Sequence, residues 1–233
     1  MEIALIVFDM AGTTVHDDDA VNLCLKAALS AAGVRASRDH INAVMGMPKP
    51  LAIQTLLAEF RGQAAASERA VEAIHDDFVG RMLWHYRSHP DVRECAGATD
   101  IFTWCRQQGI LTALDTGFNR AIADAIITRL GWHEHDLLNV TVASDEVPRG
   151  RPHPDMILKA MAATGVDNPD LVMKVGDTPV DIMQGRAAGC RCVVGVTSGS
   201  HTADELRPHG PTHLVSTLSD LRGILLSEKE GVA

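Results

Sequence analysis

Four apolar, β-branched runs in this chain end in or near a carboxylate: ALIVFD at Asp9, ILTALDTG at Asp115, NVTVASD at Asp145 and LVMKVGD at Asp177. A carboxylate at such a place can attack an electrophile or hold a hard cation. Asp9 opens the segment Asp9-Met10-Ala11-Gly12-Thr13-Thr14, which taken alone also reads as a strand entering a turn. Asp177 opens Gly176-Asp177-Thr178-Pro179-Val180-Asp181, where Asp177 and Asp181 stand i, i+4 at a helix start and share one face. The positive end of that helix favours both acids, and plain N-capping is the competing explanation. Together with Asp9 they supply three hard oxygen ligands, a set suited to Mg²⁺ holding a phosphoryl oxygen. Two further pieces could hold an anion. Thr116 and Gly117 follow Asp115 with a hydroxyl and free backbone N–H groups, or form an ordinary turn. Arg151 lies in Gly150-Arg151-Pro152-His153-Pro154, otherwise a Pro-rich loop with a solvated arginine.

The elements that must position these residues alternate. ALIVFD, ILTALDTG, NVTVASD, LVMKVGD and CVVGVTSG are each followed by a turn and a helical pattern, which predicts parallel strands with crossover helices. The expected fold class is α/β, a Rossmann-like doubly wound parallel sheet. Ligands bind such sheets beyond the carboxyl ends of the strands, so the four acids are expected to converge there. About 95 residues between the first two runs contain no convincing strand. Ala20 to Ala32 is rich in Ala and Leu, and Val71, Ile74, Phe78, Met82 and Trp84–His85 follow roughly one helical face. An all-helical insert over residues 16–95 is expected, with residues 1–15 and 96–233 forming the core domain.

With 233 residues, 46% apolar and 22% charged, the composition is ordinary globular. A net charge of −9 offers no basic field, so nucleic acid and anionic membranes are poor partners, and an anionic substrate needs a focused site. The five cysteines are scattered, with no CxxC pair, and read as reduced thiols. No basic leader and no apolar span of ~20 residues is present, which makes a cytoplasmic protein without a membrane anchor the expectation. His133-Glu134-His135 lacks zinc-protease spacing and reads as solvated. Arg149 is either an aid to anion capture or a surface arginine.

The order strand-Asp, strand-Thr, basic residue, Gly-Asp-x-x-x-Asp resembles the four-motif signature of the haloacid dehalogenase superfamily across essentially the whole chain. The resemblance implies that Asp9 is the nucleophile. It implies that Asp9, the backbone carbonyl of Ala11, Asp177 and Asp181 surround Mg²⁺, and that Thr116 and Arg151 hold the transferring group. Gly12, Thr13, Gly117 and Met45 join as substrate or phosphate contacts. Two departures narrow the match: position 11 is Ala where a second Asp is usual, and the basic residue is Arg rather than Lys. With Asp-x-Ala-Gly-Thr-Thr and Gly-Arg-Pro-x-Pro they resemble the phosphonatase (phosphonoacetaldehyde hydrolase) family, as does Met45-Gly46-Met47-Pro48-Lys49 inside the insert, where that family carries a cap lysine.

Cleaving a carbon–phosphorus bond expels a carbanion, and a lysine Schiff base with a neighbouring aldehyde turns the leaving carbon into an enamine. Lys49 is the candidate for that role, the alternative being a surface lysine that begins a helix. Ala52 stands where the family has a His, Phe118 where it has a Tyr, and Asp115 where a second Thr is usual. These differences point to a relative with its own substrate. The expected substrate is a small phosphonate or phosphorylated metabolite. The rival readings are phosphate-monoester hydrolysis at the same Asp9, and a non-catalytic binder of a phosphorylated ligand or a protein. Related enzymes often pair through their caps, so a homodimer is the candidate assembly.

Overall fold

The computed structural model describes residues 2–133 and 136–230. The chain opens with β1 (Leu5–Asp9), then α1 (Ala20–Ala31), α2 (Arg38–Asn42), α3 (Lys49–Arg61), α4 (Glu68–Ser88) and α5 (Ala98–Gln107). Strands and helices alternate from there: β2 (Leu111–Thr116), α6 (Arg120–Leu130), β3 (Val140–Ala143), α7 (Asp155–Thr164), β4 (Val172–Gly176) and α8 (Pro179–Ala187). The chain ends with β5 (Cys192–Val196), α9 (Ala203–Leu206), β6 (His213–Val215) and α10 (Leu221–Glu230).

The strands form one six-stranded sheet, ordered β3-β2-β1-β4-β5-β6, and every pairing is parallel. All residues of β1, β4 and β5 are buried, as a sheet covered on both faces requires. Side chains alternate between the faces. Ile6, Phe8, Leu114, Met173 and Val175 belong to a core with α5, α6 and α10. Leu5, Val7, Ala113 and Val172 pack with Met156, Ile157 and Ala160 of α7 and Ile182 of α8. The strand order reverses beside β1, at the β1/β4 boundary, where an open α/β sheet leaves a crevice at its carboxyl edge.

No strand lies between β1 and β2. Helices α1 and α3 both pack on α4 there, and α4 also rests on α6. Val71, Ile74, Phe78 and Met82 form the buried stripe of α4, joined by Tyr86. Trp84 departs from the expected face and is 66% exposed, because two residues past Met82 the helix has turned it outward. The edge strand β6 was not foreseen, since three residues of mixed burial carry no readable alternation. Glu134 and His135 of the His133-Glu134-His135 run lie outside the described residues. No described helix is long and apolar enough to cross a membrane.

Phe102 of α5 is fully buried, edge-on to Phe8 (centroids 5.2 Å apart) and to Trp132 (5.3 Å). Phe102→Ala is expected to lower the unfolding free energy by about 3–5 kcal/mol. Trp84→Ala is expected to change it by no more than about 0.5 kcal/mol. Urea unfolding of the two variants side by side checks the contrast.

Candidate active site

The register of the sheet sets the site. Asp9 is the partner of Asp115 across β1/β2, and Val7 that of Lys174 across β1/β4, so two carboxylates and an ammonium project on one face near the strand ends. Such a group survives burial only if its charges meet. Arg151, 1% exposed, donates from Nη1 to Asp9 Oδ1 (2.6 Å) and from Nη2 to Asp115 Oδ1 (2.5 Å) and the Asp115 carbonyl (2.9 Å). Lys174 Nζ donates to the same Asp115 oxygen at 2.5 Å. The cations hold Asp115 below the usual carboxylate range although burial alone would raise it. Although it stands where a second Thr is usual, Asp115 therefore has its charge neutralised inside the sheet.

Asp177 and Asp181 complete the group from the start of α8. Asp177 Oδ1 accepts from Thr13 Oγ1 (2.9 Å), and Oδ2 accepts from Ser200 N and Oγ (2.7 Å each). Asp181 Oδ2 accepts from Thr178 Oγ1 (2.5 Å) and Thr178 N (3.2 Å), so this acid is an N-terminal helix cap as well as a member of the cluster. Its Oδ1 lies 3.1 Å from Arg151 Nη1 and 3.0 Å from Lys174 Nζ, yet the angles satisfy no hydrogen bond. Gly12, at φ 89°, brings the chain back after β1 so close to Asp177 that a Cβ there would strike its carboxylate.

Asp9, Asp177 and Asp181 each place a carboxylate oxygen within 4.8 Å of the others. Burial first, then Asp181 and Asp177, push the Asp9 pKa upward against the opposing Arg151. Four buried acids here (Asp9, Asp115, Asp177, Asp181) meet two buried cations, Arg151 and Lys174. The excess of negative charge, the hard oxygens and the unsatisfied Asp181 Oδ1 all fit a bound divalent cation.

Lys49 is the first residue of α3 and faces inward, 3% exposed, so it is not a solvated helix-start lysine. Its Nζ lies 5.4 Å from the Phe118 ring centroid, and that ring in turn stacks on Phe78 of α4 (6.3 Å). Burial lowers the Lys49 pKa to about 8; Asp9 pulls it back up and Arg151 pushes it further down. Lys49 shares with Asp9 a cavity of about 130 Å³, also lined by Ala11, Gly12, Met45, Thr116, Gly117 and Arg151. Thr116 Oγ1 accepts from Phe118 N (3.1 Å), leaving its proton free to point into the cavity. The loop before Lys49 seats against the strand-end loops: Gly46 abuts Thr178, Gly150 abuts Pro48, and a Cβ on Gly117 would come within 2.7 Å of the Met47 carbonyl oxygen.

Two expectations need correction. Thr13 is not among the residues lining the cavity; fully buried, it spends its hydroxyl on Asp177. Asp145 does not join the other acids. It follows the edge strand β3, is exposed, and accepts from Arg120 N (2.9 Å) at the start of α6. Sequence reasoning missed Lys174, Ser200 and Asp17, the last two also lining the cavity. A lone lysine inside LVMKVGD was the available signal, because a buried charge needs partners.

The sequence matches the haloacid dehalogenase-like hydrolase family profile over residues 3–189. A phosphonoacetaldehyde hydrolase from Hahella chejuensis is 29% identical over 85% of this chain and 69% of its own length. A probable phosphatase IndB from Dickeya dadantii is 29% identical over 94% and 92%. Among solved structures, a phosphonoacetaldehyde hydrolase-like protein from Oleispira antarctica superposes with a TM-score of 0.84 at 20% identity, covering 97% of this chain and 92% of that one.

Lys174→Met is expected to destabilise the fold by about 3–5 kcal/mol, as breaking a buried ion pair does. Adding Asp115→Asn is expected to restore part of the loss, because the stranded charge goes with it. Denaturant titration of the single and double variants measures both.

Proposed function

We propose, because the chain belongs to the haloacid dehalogenase-like hydrolase family, that it cleaves a small phosphonate aldehyde such as phosphonoacetaldehyde, with Asp9 as nucleophile and Lys49 as the Schiff-base amine. The observation that carries this reading is Lys49 itself: an amine with a pKa lowered to about 8, enclosed with Asp9 and with no acid at position 11. An ordinary alkoxide leaving group would call for a proton donor beside the nucleophile, whereas an enamine leaving group does not. The cavity, well below the roughly 300–1,000 Å³ of drug-sized ligand sites, suits a phosphoryl group with a short organic part.

In this reading residues 16–95 are a cap over the core domain. Lys49 condenses with the aldehyde and positions the carbon–phosphorus bond in line with Asp9, which is aimed by Arg151. Asp9 takes the phosphoryl group, electrons pass into the enamine, and water later hydrolyses the aspartyl phosphate. Thr116, Gly117 and Gly12 contact the phosphoryl oxygens, and Met45 borders the organic part. Mg²⁺ held by Asp9, the Ala11 carbonyl, Asp177 and Asp181 supplies charge neutralisation when bound.

Hydrolysis of a phosphate monoester at the same Asp9 is the second reading. It is favoured by the full-length similarity to the probable phosphatase IndB and by the fully buried Ala52, which brings no proton-carrying side chain to Lys49.

Treatment with phosphonoacetaldehyde and borohydride is expected to leave a reduced adduct on Lys49, found by peptide mass spectrometry. Lys49→Ala is expected to abolish phosphate release; retained turnover supports the monoester reading instead. Asp9→Asn is expected to end phosphate release while still forming the adduct. The fraction of free amine grows with pH, so the trapping rate is expected to rise with a midpoint near pH 8 and level off above it, whereas an ordinary lysine has its midpoint near 10.5.

A further inference from the structure

We propose that Asp17 is the proton carrier of this cavity, taking a proton from Lys49 and giving it to the oxygen that departs as water when the lysine condenses with an aldehyde. The inference rests on the Schiff-base reading above. The step balances without a co-reactant. Asp17 removes a proton from the Lys49 ammonium, and the freed nitrogen pair forms the C–N bond. The carbonyl oxygen takes a second proton from that nitrogen. Asp17 then returns the first proton to the hydroxyl as the C–O bond breaks, leaving water, an iminium and the Asp17 carboxylate.

Elimination among the titratable side chains lining the cavity leads to Asp17. Asp9 is bound by Arg151 and reserved for phosphorus, and Asp19 is paired with Arg38 at 3.0 Å. Arginine does not release its proton. Asp17 has no ion-pair partner among the described residues, and one of its oxygens accepts from Val21 N (3.2 Å), which fixes the carboxylate at the start of α1. It lines the same small cavity as Lys49, close enough that its charge raises the proton affinity of the amine. Burial lifts the proton affinity of Asp17, against the N–H groups of Val21 and Ala20. That brings donor and acceptor toward each other, as proton transfer favours.

The test is the rate of borohydride trapping by phosphonoacetaldehyde in the full chain. Asp17→Asn keeps an oxygen for Val21 N and removes the charge together with the ability to take up and release a proton. Its trapping rate is expected to fall about 10²-fold while its affinity for inorganic phosphate stays unchanged, and Asp17→Glu is expected to recover part of the rate. Trapping by Asp17→Asn at the wild-type rate overturns the assignment, as does a parallel loss of phosphate affinity, which marks a structural role. An adduct missing from the wild type overturns the condensation itself and Asp17's part with it, a result separable from the other two.

Discussion

Two carboxylates paired in register on adjacent buried strands repel each other, and the rest of the site is organised around relieving that repulsion. Asp9 and Asp115 cannot be moved apart without slipping β1 against β2, which would exchange the sheet's two faces. Arg151 bridges them instead, with Lys174 reinforcing Asp115 from β4. The planar fork of arginine suits this task, since its two terminal nitrogens reach different acids at once. Removing these charges from water is costly, and their mutual attraction repays it only because the geometry is close.

The same economy gives the two halves of the molecule different work. The sheet contributes groups that are locked: Asp115 by two cations, Asp177 by Thr13 and Ser200, Asp181 by its helix start. The helical segment contributes a group held by fewer contacts: among the described residues Lys49 Nζ donates to the Met47 carbonyl, at 3.5 Å, lies over the face of Phe118, and makes no ion pair. The proposed two-part reaction at one small cavity calls for this pairing of a fixed carboxylate with an amine held by few contacts.

Much of this was legible in the sequence, for physical reasons that also explain the gaps. Strands buried on both faces must be apolar throughout, so LIVFD and VMKVG announce themselves, and acids at their ends stand out. A strand at the rim need not be so uniform, which hid β6 and made Asp145 look equivalent to the central acids. Lys174 was overlooked because a charge within an apolar run signals only that a partner exists, not where. Asp17 lies in a run of three acids before α1, where capping explains an acid equally well; only the fold shows that Asp17 and Asp19 both border the cavity and that Asp19 is taken up by Arg38. The resemblance to phosphonatases reached Lys49, but its burial is a tertiary fact.

The close backbone seam at Gly46, Gly117 and Gly150 ties reactivity to enclosure. Larger residues there would hold the loop off the sheet, and parting the seam would rehydrate Lys49 and return it to an ordinary protonated ammonium, because burial is the first cause of its weakened basicity. Under the Schiff-base proposal, an aldehyde reaching Lys49 through a parted seam would meet an ammonium, and condensation would be confined to a guest small enough to be enclosed.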